Sequence, residues 1–116
     1  MGLVRFDSDA DNLVTRQYSQ GKGPVLRSEH CELARVFFAQ GTGAEVHQHP
    51  EEQTFYCLEG RLECTVGGET YVITPGEASF HPSGVPHSVL ALEDTLLISF
   101  KVRESEQIYE ATGELA

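Results

Sequence analysis

The sequence is poor in basic residues: of 116 residues only 8 are Lys or Arg, against 18 Asp or Glu, for a formal charge of −10. Such a balance offers no broad attractive surface to a phosphate backbone or an anionic bilayer, so neither nucleic acid nor a membrane is an expected partner. Cysteine is scarce as well. Cys31, Cys57 and Cys64 are odd in number and stand at no C-x-x-C spacing, which argues against a disulfide framework or a cysteine zinc site and suits a reducing cytoplasm. No apolar run approaches the roughly 18 residues of a membrane span. The opening MGLVRFDSDADNLV has neither the apolar core nor the small-residue cleavage site of a secretory signal. Gly2 would suit myristoylation, but that motif needs Ser or Thr where Phe6 stands. The expectation is a soluble, cytoplasmic chain with one domain and no linker to a second.

What the sequence does have is repetition. From about Val25 to Val102, short runs rich in Val, Ile, Leu, Phe, Tyr and Thr alternate with glycine and proline turns. The pattern predicts strands over 33–39, 44–49, 53–58, 62–66, 69–74, 77–81, 87–92 and 95–102. Gly67-Gly68 between two such runs predicts a tight hairpin with positive φ, pairing 62–66 with 69–74. No part of the middle carries helical periodicity, so the class is all-β, a sandwich or a barrel. Three segments follow: an N-terminal strand and loop over 1–24, the barrel over 25–103, and an acidic tail over 104–116 that tolerates a short helix.

Metal-ligand side chains concentrate in one stretch, His47-Gln48-His49-Pro50-Glu51-Glu52-Gln53. On a strand, residues two apart point to the same face, so His47 and His49 would offer two imidazoles to one ion. Transition-metal sites generally take three or four protein donors. His87, at the start of a later strand run, is the third, because an antiparallel barrel can set it opposite the first pair. The fourth comes from Glu51, Glu52 or Gln53. Parity favours Gln53, which opens the run that continues inward through Phe55 and Cys57.

The stretch Gly41-x5-His47-x-His49-x3-Gln53-x6-Gly60 resembles the first sequence motif of the cupins, and Gly76-x5-Pro82-x-Gly84-x2-His87 resembles the second. The resemblance covers residues 41–87 and implies a double-stranded β-helix, or jelly-roll barrel, of six to eight strands. It also implies one divalent ion (Fe, Ni, Mn, Zn or Cu) on His47, His49, Gln53 and His87. Two positions depart from the family pattern. Gln53 replaces the usual glutamate and adds no negative charge, so the site would keep a stronger pull on an anion. Ala91 stands where many cupins carry an asparagine that is not a ligand. Glutamine at this ligand position is similar to a subset of small cupins that convert unsaturated uronates to open-chain keto sugars. In that subset an aspartate, a phenylalanine and an arginine near the C-terminal strand serve the substrate; here Phe100 is the matching aromatic, Ile98 stands for the aspartate, and Arg103 lies near the arginine.

Other conspicuous residues have plainer readings. His30 and His81 fall on no motif position and read as solvated polar surface. Glu51 and Glu52 read as a solvated turn, the aromatics as packing, Cys57 and Cys64 as small buried apolar groups, and Arg61 as part of a Glu-Gly-Arg turn. Phe55 and Cys57 are the expected pocket walls. The resulting expectation is a metal-dependent enzyme acting on a small oxygenated or anionic molecule such as a sugar acid by Lewis-acid chemistry. Dioxygenase chemistry and a non-catalytic small-molecule-binding module are the alternatives. His81, Tyr56 and Arg103 are the candidates for proton transfer or substrate docking. Small cupins commonly pair through an outer sheet face, so the resemblance also implies a homodimer.

Overall fold

Alternating apolar and polar residues give each extended run one face to bury, and antiparallel pairing lets short turns join neighbours. The computed structural model describes residues 2–6, 12–15 and 17–103, and no helix occurs among them. Nine strands follow one another: β1 (Val25–Arg27), β2 (Cys31–Phe38), β3 (Gly43–His47), β4 (Gln53–Glu59), β5 (Leu62–Val66), β6 (Glu69–Ile73), β7 (Ala78–His81), β8 (His87–Ala91) and β9 (Thr95–Val102). They form a five-stranded sheet in the order β1-β2-β9-β4-β7 and a four-stranded sheet in the order β3-β8-β5-β6. The protein is all-β. The expected C-terminal helix falls in 104–116, outside the described residues.

The strand pattern read from sequence shifts mainly at its ends. β1 was not foreseen, and β2 begins at Cys31 because Cys31 pairs with Val102 at the far end of β9. β3 stops at His47, where its partner β8 starts at His87, and a register shift separates Ala44 from His47. The Gly67-Gly68 hairpin is present: Val66 pairs with Glu69 and Gly67 takes φ 61°. The positive φ belongs to Gly67 and not to Gly68. Gly43 serves a different purpose, since a Cβ there would stand 2.0 Å from the Val89 carbonyl oxygen of the paired strand.

Register ranks the inward side chains into rows. In the larger sheet Phe38 sits beside Thr95; next come Val36, Leu97 and Cys57; then Ala34, Ser99, Phe55 and Ser79; then Glu32, Lys101, Gln53 and His81. In the smaller sheet the succession is Ala91, Leu62 and Ile73; then Val89, Cys64 and Tyr71; then His47, His87 and Val66. One end of the interior is therefore apolar and packed, with Leu62, Leu97 and Cys57 all at 0% exposure. The other end is polar, and it is where the motif histidines stand.

The described residues between 12 and 22 lie across the open side between the sheets. They make isolated bridges and no named strand: Lys22 to Phe37 of β2, Ser19 to Ala44 of β3, and Leu13 to Lys22 within the segment. The backbone carbonyl of Tyr18 accepts from the Glu45 amide at 2.8 Å, and the Gln20 amide donates to the Gly43 carbonyl at 2.9 Å.

Candidate metal centre

His47, His49 and His87 come together, although not as strand parity proposed. His49 lies beyond the end of β3 in the loop before β4, so the two histidines do not share a strand face. The loop is set by a backbone bond from Gly84 N–H to the His49 carbonyl, 2.8 Å, which ties the first motif to the second. Ring centroids are 4.2 Å apart for His47 and His87, 4.9 Å for His49 and His87, and 5.5 Å for His47 and His49. One nitrogen from each lies within 4.8 Å of the other two. Donors on a single first-row ion stand roughly 3–4 Å apart, as bond lengths of about 2.1 Å require, so small ring movements suffice to close the set.

The three rings are oriented in the same way. Nδ1 of His47 donates to the Glu45 carbonyl at 2.6 Å, Nδ1 of His49 to the Glu51 carbonyl at 2.9 Å, and Nδ1 of His87 to the Val85 carbonyl at 3.0 Å. A carbonyl oxygen only accepts, so each Nδ1 carries the hydrogen and each lone pair is on Nε2. Fixing the tautomer through the second nitrogen is how proteins aim a ligating imidazole. Burial and neighbouring imidazoles also suppress protonation. His47 is held at a pKa of about 4, chiefly by desolvation, against a backbone bond to Glu45 that raises it, with His87, His49 and the Lys101 charge lowering it further. A neutral His47 with its Nδ1 already committed to a carbonyl suits a cation at Nε2 and not a proton.

Gln53 opens β4, is 9% exposed, and gives its Nε2 hydrogen to Ser99 Oγ at 3.0 Å. The carbonyl oxygen is then the atom it could offer to an ion. Phe55, two residues on, faces inward as expected and lines a small cavity with His47, Gln53 and Ser99. Cys57 is fully buried, but in the next row towards the apolar end, and does not line that cavity. Its thiol and that of Cys64 are both raised by burial, Cys64 to about 11, so neither is reactive.

Several residues sit elsewhere than the sequence led one to expect. His81 is no solvated side chain: it is 0% exposed, stacks on His87 at 4.3 Å and meets the edge of Phe55 at 4.9 Å. Its Nε2 shares a hydrogen bond with Ser79 Oγ at 2.9 Å, Ser79 shares another with Tyr71 OH at 2.6 Å, and its Nδ1 has no hydrogen-bond partner among the described residues. Desolvation first, then the three other imidazoles, hold His81 at about 3. Glu51 is likewise no solvated turn residue; it is 3% exposed, with Oε1 3.6 Å from His49 Nδ1. His30 is exposed beside Glu29, as expected.

Tyr56 and Arg103 are not brought to the histidines. Tyr56 is 45% exposed on the outer face of β4, between inward Phe55 and Cys57. Arg103 follows β9, where its amide donates to the His30 carbonyl at 2.9 Å and its Nη1 donates to the Ser28 carbonyl. Phe100 also points outward, at 44% exposure, so it cannot be the site's aromatic; the inward residues of that stretch are Ser99 and Lys101.

Two site residues escaped the sequence reading, Lys101 and Tyr18. Lys101, 2% exposed, is in register with both Gln53 and the buried Glu32, whose Oε2 meets Arg27 Nε at 3.0 Å. Inward parity through Leu97 and Ser99 would have found Lys101. Tyr18 carried no comparable signal, yet its ring centroid lies 3.6 Å from that of His47.

The family model described as "Cupin domain" matches residues 34–99, more than half of the chain. The chain belongs to the cupin family. Among curated relatives, this cupin is 33% identical over 69 residues to the dimethylsulfoniopropionate lyase DddQ of Ruegeria pomeroyi, covering 59% of this chain and 34% of that one. It is 27% identical over 85 residues to the quercetin 2,3-dioxygenase of Bacillus subtilis, covering 71% of this chain and 25% of that one. The cupin thus spans about a third and a quarter of the length of these two relatives. Among solved structures it resembles KdgF from Halomonas sp., with TM-score 0.68 and 26% identity over 75% of this chain and 83% of the other. It also resembles an RmlC-like cupin from Shewanella frigidimarina, with TM-score 0.76 and 21% identity over 92% and 95%, a likeness of fold.

Proposed function

We propose that this cupin binds one divalent transition-metal ion through His47, His49, His87 and the Gln53 carbonyl oxygen, and uses it on a small oxygenated or anionic substrate such as a sugar acid. The reading is carried by the three Nδ1-to-carbonyl hydrogen bonds, which turn Nε2 of each ring into the atom able to take an ion, in three histidines that offer ligand atoms within 4.8 Å of one another. A divalent ion held there supplies Lewis-acid chemistry, polarising a carbonyl or carboxylate oxygen. Gln53 in place of a carboxylate leaves the positive charge of such an ion less neutralised, and Lys101 in the adjacent register position adds another. Of the sequence candidates for proton transfer, His81 is the one the burial pattern favours: it lies inside the barrel in the row of Gln53. Isomerase- or lyase-like chemistry fits this set best. The likeness to a quercetin dioxygenase keeps oxygen chemistry as the second reading, and dioxygen uptake by the iron- or copper-loaded protein would separate the two.

Metal analysis tests the first step. Purified protein incubated with Mn, Fe, Ni or Zn and then desalted is expected to keep about one ion per chain, and His49→Ala to keep none while its circular dichroism stays β. A folded wild-type protein that stays empty at micromolar concentrations of all four would overturn the reading.

We also propose a homodimer formed through the outer face of the five-stranded sheet. Phe100 and Phe80 flank Thr54 in one outward row, and Tyr56 stands in the next; the three aromatics are 44%, 52% and 45% exposed. Contiguous aromatic surface of this kind marks a protein contact. A sedimentation mass of twice 12.8 kDa, halved by Phe100→Lys, is expected; a wild-type mass of one chain at tens of micromolar would exclude it. Three cysteines without disulfides suit a reducing compartment, the cytoplasm.

A further inference from the structure

His49, His87, Gln53 and His81 are all buried, whereas His47 alone among these site residues keeps partial exposure. Any approach to the cluster along the described surface therefore leads past His47, and the Tyr18 ring lies against it at 3.6 Å.

The spaces on the two sides of Tyr18 differ greatly. Inside is a cavity of about 30 Å³ that touches His47, Gln53, Phe55 and Ser99, room for about one water molecule. Outside is a groove of about 390 Å³ bounded by Gln17, Gln20, Gly41, Gly43 and Leu90, the size of a small-molecule site. Tyr18, Ser19 and Ala44 line both, so they form the partition. Ser19 and Ala44 are bridged to each other through their backbones. Tyr18 is the only one of the three with a long side chain.

We infer that Tyr18 is a gate: its side chain rotates off His47 to join the outer groove to the inner cavity, and so sets what can reach the histidine cluster. The inference rests on the reading of that cluster as a ligand site. The backbone on either side of the ring is held, by the Tyr18 carbonyl to the Glu45 amide at 2.8 Å and by the Ser19 amide to the Thr15 carbonyl at 3.1 Å. The motion is therefore a side-chain rotation and not the opening of a loop. The groove's lining offers amides and hydroxyls from Gln17, Ser19 and Gln20, no cation, and one carboxylate, Glu45. Such a surface suits the uncharged, hydroxyl-bearing part of a molecule. A substrate with an anionic end would place that end past the gate, towards Gln53 and Lys101.

The test uses Co(II) alone as the probe, with its binding followed by visible absorption and its release to EDTA followed by stopped flow. Removing a gate speeds entry and exit together. Tyr18→Ala, and Tyr18→Leu as a variant that keeps apolar packing, are expected to raise both rates at least tenfold with Kd changed less than threefold. Tyr18→Phe, which keeps the ring, is expected to stay within twofold of wild type. Leu90→Trp, which narrows the groove, is expected to slow both rates several-fold. Unchanged rates in both ring-removing variants, or faster release with unchanged entry and a correspondingly higher Kd, would overturn the gate. A wild-type protein that takes up no Co(II) at all would instead remove the metal reading, and the gate with it.

Discussion

At one end of the barrel interior, Leu62, Ile73, Ala91 and Leu97 pack with Phe38 and Cys57; a few pleats along the same strands stand His47, His87, Gln53, His81 and Lys101. Both ends obey the same alternation, and both are buried. They differ in what is put into the inward positions. The apolar end removes hydrocarbon from water and stabilises the fold at about 25 cal/mol per Å². The polar end buries Glu32, Lys101, Gln53, Glu51 and three imidazoles, with His47 partly covered beside them, groups that are expensive to desolvate unless they find partners. A domain of this size gains stability by filling such positions with apolar side chains, so keeping one end polar costs stability, in line with the ligand site proposed there.

Truncation at the apolar end should break the comparison most visibly. Leu97 is 0% exposed between Val36 of β2 and Cys57 of β4. Leu97→Ala is expected to lower stability by about 3 kcal/mol, the middle of the range for buried leucines, and Tm by on the order of 10–15 °C for a domain of this length. Metal stoichiometry should be unchanged wherever the variant is folded. Calorimetry and metal analysis on the same sample check both. A loss under about 1 kcal/mol would mean that this end is not the packed core.

Acid should act on the other end. His47 and His81 are depressed to about 4 and about 3, mainly by burial, from an ordinary value of 6.5. Between pH 6.5 and those values the unfolded chain binds protons that the folded one does not, so stability rises with pH across that window. The metal-free protein should thus be fully stable above about pH 6.5 and lose on the order of 2–4 kcal/mol as pH falls towards 4. His81→Gln should flatten the slope. Urea midpoints at pH 7, 5.5 and 4.5 measure it, and identical slopes for the two proteins would show that His81 is not buried in neutral form.

The difference between the ends also explains which parts were legible in sequence. Strand pattern, hairpin and motif spacing are local, and the run from Leu62 to Ile73 reads directly as a hairpin because its alternation and its glycines agree. The histidine set was readable for another reason: motif spacing identified it even where strand parity did not hold, since His49 leaves β3 and depends on the loop bond to Gly84. Burial of polar residues was not readable. Nothing in Glu51 or His81 taken alone distinguishes a solvated side chain from one covered by the opposite sheet. Lys101 is within reach of strand parity, but a lysine is almost never fully buried, so composition argues against placing it inside. Tyr18 meets His47 because its segment is joined to β3 from Ser19 to Ala44 and from Tyr18 to Glu45, pairings that no local pattern encodes.

Gln53 gives a smaller but sharper comparison within the polar end. Gln53→Glu keeps the size of the side chain, and the bond that Gln53 Nε2 donates to Ser99 Oγ can be replaced by one from the Ser99 hydroxyl to the carboxylate, so the fold should tolerate it. If the carbonyl oxygen of Gln53 is a ligand, exchanging it for a carboxylate should tighten metal binding by roughly tenfold or more, about 1–2 kcal/mol, read by competition with a chelator of known affinity. It should also weaken any anion bound to the metal-loaded protein, acetate serving as the probe. Unchanged metal affinity would make Gln53 a neighbour that positions the ligands and not one of them.

The smallest effect is expected from Tyr56, a candidate in the sequence for proton transfer or substrate docking. On β4 the inward residues are Gln53, Phe55 and Cys57, so a tyrosine at 56 must face out, and a one-residue slip that turned it inward would expel the other three. The register with β9, Tyr56 opposite Ile98 and Cys57 opposite Leu97, agrees with that parity. Tyr56→Phe should change stability by less than about 0.5 kcal/mol and leave Co(II) affinity where it was. Tyr71→Phe is the contrasting variant, because its hydroxyl bonds to Ser79 and through it to His81. An effect on the metal from Tyr56→Phe larger than that from Tyr71→Phe would mean that β4 is out of register and that the polar row of Glu32, Lys101, Gln53 and His81 is wrongly drawn.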